Sequence, residues 1–214
     1  MRKINKGPEP PELTRWKKKS PHERYNQLTE EIRRPIREYA LKEQFYLCAY
    51  CCQKIEEMSC HNEHIEAQNI NPNRTLDFSN IVASCNTEKQ CGKAHQSQPL
   101  PLTPLMAECE TELRFKMSGR VEGLTDRALA TIQVLNLGDH EKNNRVLIGK
   151  RKQLCDALLL KNGINSAADL EDLEDKKLLE MLISDLSQPE QDKMDAFTPV
   201  VINILNNLLR SLSL

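Results

Sequence analysis

Four cysteines in two pairs carry the most legible chemistry in this chain. Cys48-Ala49-Tyr50-Cys51 is a C-x-x-C pair, and Cys85 with Cys91 forms a second, wider pair. Zinc takes four soft or borderline ligands in a tetrahedron. Two loops that each give two thiolates meet that need, and they staple a segment too poor in apolar residues to hold itself together. Cys52, Cys60 and His61 stand as substitute ligands, and buried free thiols are the competing reading. Between the pairs lies Asn62-Glu63-His64-Ile65. A carboxylate beside a histidine can put one hard oxygen on a divalent cation while the imidazole faces a water, as metal-assisted hydrolysis requires. A purely structural zinc ribbon needs neither residue. Glu63-His64 therefore separates a hydrolase from the alternative, a non-catalytic zinc module that binds nucleic acid or a protein partner.

Length and composition limit the scaffold for these side chains. A chain of 214 residues makes one ordinary domain or two small ones, which excludes a large multidomain enzyme. With 39% apolar but only 4% aromatic residues, the core must come mainly from Leu, Ile and Val, a balance that favours helices. No run approaches the roughly 18 apolar residues of a membrane span, and Met1-Arg2-Lys3-Ile4-Asn5-Lys6 lacks the apolar stretch of a secretory signal. The expectation is a cytoplasmic protein with no membrane association. Thiols stay reduced there, so eight cysteines, six of them between Cys48 and Cys91, point to metal and not to a disulfide framework. Cys109 and Cys155 read as plain core residues.

Four segments follow. Residues 1–44 are a basic arm and helix: prolines and the run Arg15-Trp16-Lys17-Lys18-Lys19 predict an extended arm over 1–20, and Ser20 with Glu23 predicts a capping box opening a helix through Tyr25, Leu28 and Ile32. Pro35 is expected to kink or split that helix. Residues 45–97 are loop-rich, with His64 expected in an exposed loop. Residues 98–124 hold a proline-rich connector and a β-hairpin, since Glu112 to Met117 alternates at period two and meets Ser118-Gly119. Residues 125–214 change to helical period. Gly163 is placed to end one helix, Ser166 with Asp169 to open the next, and Thr198 to cap Pro199 ahead of an apolar face of Val201, Ile204, Leu205, Leu208, Leu209 and Leu212. Apolar residues spill beyond that face, from Val200 to Leu214. Charge is unevenly spread: residues 1–42 hold 12 Lys/Arg against 6 Asp/Glu, and residues 166–198 hold 3 against 10. The basic end, through Lys17, Lys18, Lys19, Arg33 and Arg34, suits a nucleic-acid backbone. The acidic helical end suits a protein surface.

The run Cys48–His95 resembles the HNH nuclease family, whose ββα-metal motif combines a C-x-x-C pair, an acidic residue before His, a central Asn and a second cysteine pair. The resemblance implies that His64 is the general base that activates water. It also implies that Asn80 braces the loop carrying His64, that Glu63 binds a catalytic divalent cation (Mg2+ or similar), and that Cys48, Cys51, Cys85 and Cys91 hold structural Zn2+. In the usual pattern a His or Asn follows the last cysteine directly. Here Gly92 follows Cys91, so His95, one helical turn on, takes the place of the second cation ligand, with Asn86 in reserve. Ile4-Asn5-Lys6-Gly7-Pro8, Asn80-Ile81-Val82-Ala83-Ser84-Cys85, Cys91-Gly92-Lys93, Leu113-Arg114-Phe115, Ser118-Gly119-Arg120-Val121 and Thr131-Ile132 through Leu135-Asn136-Leu137 to Arg145 extend the likeness. In that order they resemble the PtuB family of HNH endonuclease subunits from Septu-type and retron-linked antiphage defence systems. That likeness implies an ATPase partner (PtuA-like) and, in the retron-linked branch, a reverse transcriptase with its RNA–DNA product. The fold expected is α+β: a small zinc-stapled ββα-metal module with an N-terminal arm and helix and a mainly α-helical C-terminal subdomain.

Overall fold

A computed structural model describes residues 1–140, 142–164 and 176–212. Within these the chain is mixed α+β, with seven α-helices and two small antiparallel sheets. The first ten residues form no helix or strand, and they lie on the protein's own core: Met1 and Ile4 are buried, and Ile4 N donates to Pro104 O at 2.7 Å. Lys6 Nζ donates to Ile81 O at 2.9 Å and stands 3.6 Å from the Phe78 ring centroid.

The arm is not extended to residue 20. Pro11–Lys19 is helical (α1), with Pro11 at its first position, where the missing N–H would have had no partner and the fixed φ suits a helix. Lys17, Lys18 and Lys19 occupy its last turn, where cations complement the helix dipole. Ser20 does not open a helix: it closes α1, its N–H donating to Trp16 O at 2.9 Å, and residues 21–24 are turn and irregular backbone. After a single turn at Tyr25–Gln27, α2 (Glu30–Glu43) starts from Thr29. Pro35 lies inside α2 and does not split it. The proline removes one hydrogen bond, to the carbonyl of exposed Glu31, while buried Ile36, Ala40 and Leu41 anchor the helix beyond it.

β1 (Cys60–His64) pairs antiparallel with β2 (Ile81–Cys85), Cys60 opposite Cys85 and His64 opposite Ile81. α2 packs against this ribbon, and the short α3 (Gly92–His95) follows Cys91. β3 (Leu113–Phe115) and β4 (Val121–Gly123) fall where the period-two run places a hairpin, with Gly119 at φ +82° in the turn. α4 (Asp126–Leu135) begins at Thr125, whose hydroxyl accepts from Ala128 N. α5 (Arg145–Lys161) ends just before Gly163 at φ +83°. Ser166 and Asp169 lie outside the described residues. α6 (Lys176–Leu186) leads to α7 (Thr198–Ser211). Thr198 is not the cap of α7. Its hydroxyl donates to Asp195 O at 2.9 Å, and Phe197 takes the cap position at φ +62°.

α7 packs against α5, α6 and β3, burying Val200, Val201, Ile204 and Leu205. Asn203 secures it to the hairpin edge: Oδ1 accepts from Phe115 N and Nδ2 donates to Leu113 O, both at 2.9 Å. Leu208 and Leu209 are partly buried against the core and Leu212 is exposed; Leu214 is outside the described residues. One cluster of buried side chains runs from Met1 through the ribbon to Leu205. Among the described residues no helix is long and apolar enough to cross a membrane.

Candidate functional site

The β1–β2 ribbon brings the two cysteine pairs together. Leu47 and Lys54 bridge the loop that holds Cys48 and Cys51, and Cys85 closes β2. The ligand atoms of Cys48, Cys51, Cys85 and Cys91 all lie within 4.8 Å of one another, and all four residues are buried. Burial pushes the Cys51 and Cys91 thiols up, whereas contacts from the other three thiols pull Cys85 far down. A dication satisfies all four sulfurs where protons satisfy only some. The cluster could therefore hold a structural metal such as zinc, with Cys85 N donating to Cys48 Sγ at 3.4 Å as a second layer of support. Cys52 and Cys60 stay outside this group, and Cys109 and Cys155 are core thiols pushed up to about 12 by burial.

Alternation along β1 sorts the remaining residues. His61 and Glu63 face α3; Asn62 and His64 face the N-terminal segment. Glu63 Oε1 lies 2.7 Å from His95 Nδ1, and Glu63 Oε2 lies 3.2 Å from His61 Nε2. His61 Nδ1 in turn donates to Asn86 Oδ1 at 2.9 Å. Burial works to raise the Glu63 carboxyl, but the two imidazoles outweigh it and leave it below the ordinary carboxylate value. At His61 burial works to lower the pKa, but the contacts with Glu63 and Asn86 outweigh it and raise it. The tautomer of His95 is set by Gln98: Nε2–H donates to that backbone carbonyl at 2.8 Å, so Nδ1 turns its lone pair towards Glu63. A lone pair facing a carboxylate oxygen needs positive charge beside it, a proton or a metal ion. Space for the carboxylate comes from Gly92, where a Cβ would stand 2.6 Å from Glu63 Oε2 and 2.7 Å from His61 Nε2. Nearby, Tyr50 Oη is buried and has no hydrogen-bond partner among the described residues, and burial followed by the Glu63 charge raises its pKa.

His64 does not lie in an exposed loop. It ends β1, is 6% exposed, and stands edge-on to Tyr25 with ring centroids 4.6 Å apart. Aromatic packing and the strand pairing hold it where a loop would leave it free. Its Nε2–H donates to Thr75 O at 2.9 Å, so Nδ1 carries the lone pair, contacted by Gln68 Nε2 at 3.4 Å. Burial lowers its pKa below the ordinary histidine value, against the opposing effects of Thr75 and Glu63. Asn80 ties the segment after His64 to β2: Oδ1 accepts from Glu66 N at 2.8 Å and Nδ2 donates to Glu66 O at 3.0 Å.

Three of the five basic residues Lys17, Lys18, Lys19, Arg33 and Arg34 are engaged within the protein. Lys17 pairs with Glu9, Arg34 pairs with Glu38 and Glu57, and Arg33 donates to the carbonyls of Tyr25 and Asn26. Lys18 and Lys19 are exposed. His61, Gln68 and the Thr75 and Gln98 carbonyls join the site without having been singled out for it. Only His61 left a sequence signal, the His-x-Glu spacing that puts both side chains on one strand face. No family model and no curated protein matches the chain.

Proposed function

We propose that this chain is a metal-dependent endonuclease of the HNH, ββα-metal type, hydrolysing phosphodiester bonds of nucleic acid. One observation carries the reading. His64, with its tautomer set by Thr75 O and its Nδ1 lone pair met only by the side-chain amide of Gln68, is the immediate neighbour of a carboxylate that faces a second histidine, His95. The donor set of one carboxylate oxygen and one imidazole nitrogen, with room kept at Gly92, fits a divalent cation. When bound, such an ion supplies Lewis-acid stabilisation of charge on the scissile phosphate.

The chain's own part is proton transfer and orientation. His64 Nδ1 takes a proton from the attacking water, for which the Gln68 amide must move aside, and the Thr75 carbonyl holds the imidazolium that forms. Asn80 keeps the segment after His64 in register. The four-cysteine cluster, loaded with zinc, fixes α3 and hence His95 against β1. Lys18 and Lys19 contact the nucleic-acid backbone. From the sequence resemblance alone we extend the proposal to a cytoplasmic effector of an antiphage complex, with an ATPase docked on the C-terminal helices and, in the retron-linked branch, a reverse transcriptase and its RNA–DNA product. The test is cleavage of duplex DNA, single-stranded DNA and transfer RNA by the full chain, alone and with the ATPase, comparing wild type with His64→Asn. Equal cleavage by the two proteins sinks the reading.

A further inference from the structure

We infer that His61 is a third protein ligand of the dication site, which thereby becomes a two-imidazole, one-carboxylate set selecting a transition-metal dication such as Mn2+ over Mg2+. The inference rests on the nuclease reading, which assigns Glu63 and His95 alone.

Hydrogen-bond polarity is the first ground. Asn86 Oδ1 accepts from His61 Nδ1, so the lone pair of a neutral His61 sits on Nε2 and points at Glu63 Oε2. Gln98 O does the same for His95, whose Nδ1 lone pair points at Glu63 Oε1. One carboxylate is thus flanked by two imidazole lone pairs, and each imidazole is oriented from behind by an oxygen acceptor. Metal-ligating histidines are held in this way, by an acceptor on the ring nitrogen that does not bind the metal.

The second ground is space. The Cβ that Gly92 lacks would meet Glu63 Oε2 and His61 Nε2 at nearly equal distances, 2.6 and 2.7 Å, so the backbone there leaves room for both side chains at once. The three ligand atoms flank one another without yet converging. Among the described residues only the four cysteines bring three or more ligand atoms within 4.8 Å of each other. Closing the set takes a small shift of His61 about its Asn86 contact, and its side chain is the more accessible of the two imidazoles, 27% exposed where His95 is fully buried. Nitrogen-rich sets favour first-row transition ions; Mg2+ favours oxygen and keeps its water.

The experiment titrates the zinc-loaded full chain with Mn2+, read by the loss of the free-ion EPR signal. Wild type should bind one Mn2+, and Mg2+ in about tenfold excess should not displace it. His61→Gln should weaken Mn2+ about tenfold or more, as should Glu63→Gln. Pulsed EPR of the wild-type Mn2+ complex should show two inequivalent imidazole nitrogens, a measurement that needs no variant to fold. One nitrogen only, or unchanged affinity in His61→Gln beside weakened affinity in Glu63→Gln, overturns the role of His61 and leaves the nuclease reading standing. Displacement by Mg2+ at that excess overturns the selectivity. Absence of Mn2+ binding, or full affinity in Glu63→Gln, overturns both readings, because protons alone would then occupy the cluster.

Discussion

Glu63 and His64 are adjacent on β1 and rest on different neighbours: the carboxylate meets His95 of α3, and the imidazole stands against Tyr25. Two functions on neighbouring residues are thereby wired to different supports, and each can be disturbed alone. His64→Asn should lower cleavage by about 10² to 10⁴ while leaving Mn2+ affinity and zinc content as in wild type. His64→Ala is the poorer test, since it also removes a ring from contact with Tyr25. Parallel loss of metal and rate in His64→Asn would falsify the separation.

Acid pH should act through His64. Burial sets its folded pKa below 6.5, so the unfolded chain takes up the proton first as pH falls. Its contribution to stability is therefore full above about 6.5 and is lost below it. His61 has the opposite sign: its pKa is raised, and its contribution is full below 6.5 and fades as pH climbs through the folded value. In a rate profile the neutral base persists to lower pH than an ordinary histidine, which puts the acid midpoint below 6.5. A midpoint above that value assigns the limb to another group.

Cys48→Ser or Cys85→Ser should release the structural metal and reduce soluble yield together, because metal binding to such a segment is part of its folding free energy. Elemental analysis of the purified protein checks this, with about one zinc per wild-type chain expected from a single tetrathiolate site. Folded protein without zinc removes the assignment.

Two glycines in helices make a matched pair. Gly92→Ala should push Glu63 and His61 apart and weaken Mn2+, since its Cβ would meet them at 2.6 and 2.7 Å. Gly149→Ala, in α5 with nothing within 4 Å, should raise stability by about 0.4 to 1 kcal/mol and leave Mn2+ untouched. Denaturant melts alongside the EPR titration separate the two effects.

Lys18 and Lys19 are the lysines of α1 to replace. Losing both should reduce the salt slope of nucleic-acid binding by up to about two units, roughly 0.9 for each phosphate contact. Lys17→Ala should change it less, because Lys17 is held by Glu9. An unchanged slope in the double variant assigns the end of α1 to a different surface.

What could be read in advance divides along physical lines. The cysteine pairs and the hairpin were legible because local spacing determines both: a C-x-x-C knuckle and a period-two run ending in Ser-Gly need no distant partner to be recognised. α1 was not, because Pro11 reads as a breaker until one knows that it opens the helix. Pro35 was not, because the packing that carries α2 past it comes from Ile36, Ala40 and Leu41 on the ribbon. The burial of His64 depends on Tyr25, 39 positions away, and its tautomer on a backbone carbonyl, which no residue type announces. The final helix has a wide apolar face because β3, α5 and α6 surround it, which gives that face an internal role.

Arg151 of α5 is fully buried, donating to Gly119 O at 2.6 Å and Leu137 O at 3.1 Å. Among the described residues it has no carboxylate partner. After burial, which lowers its pKa, the charges that act on it are those of Cys51, Cys155, Cys52 and Cys91. A tetrathiolate around a dication carries net negative charge, so a cation locked inside α5 is a fitting counterion for a cluster formed far away in sequence. The hydrogen bonds of Arg151 tie the hairpin turn at Gly119 and the corner at Leu137 to α5. Chelation of a metal held by the cysteines should therefore destabilise α5 together with the cysteine loops, which denaturant melts with and without chelator would read.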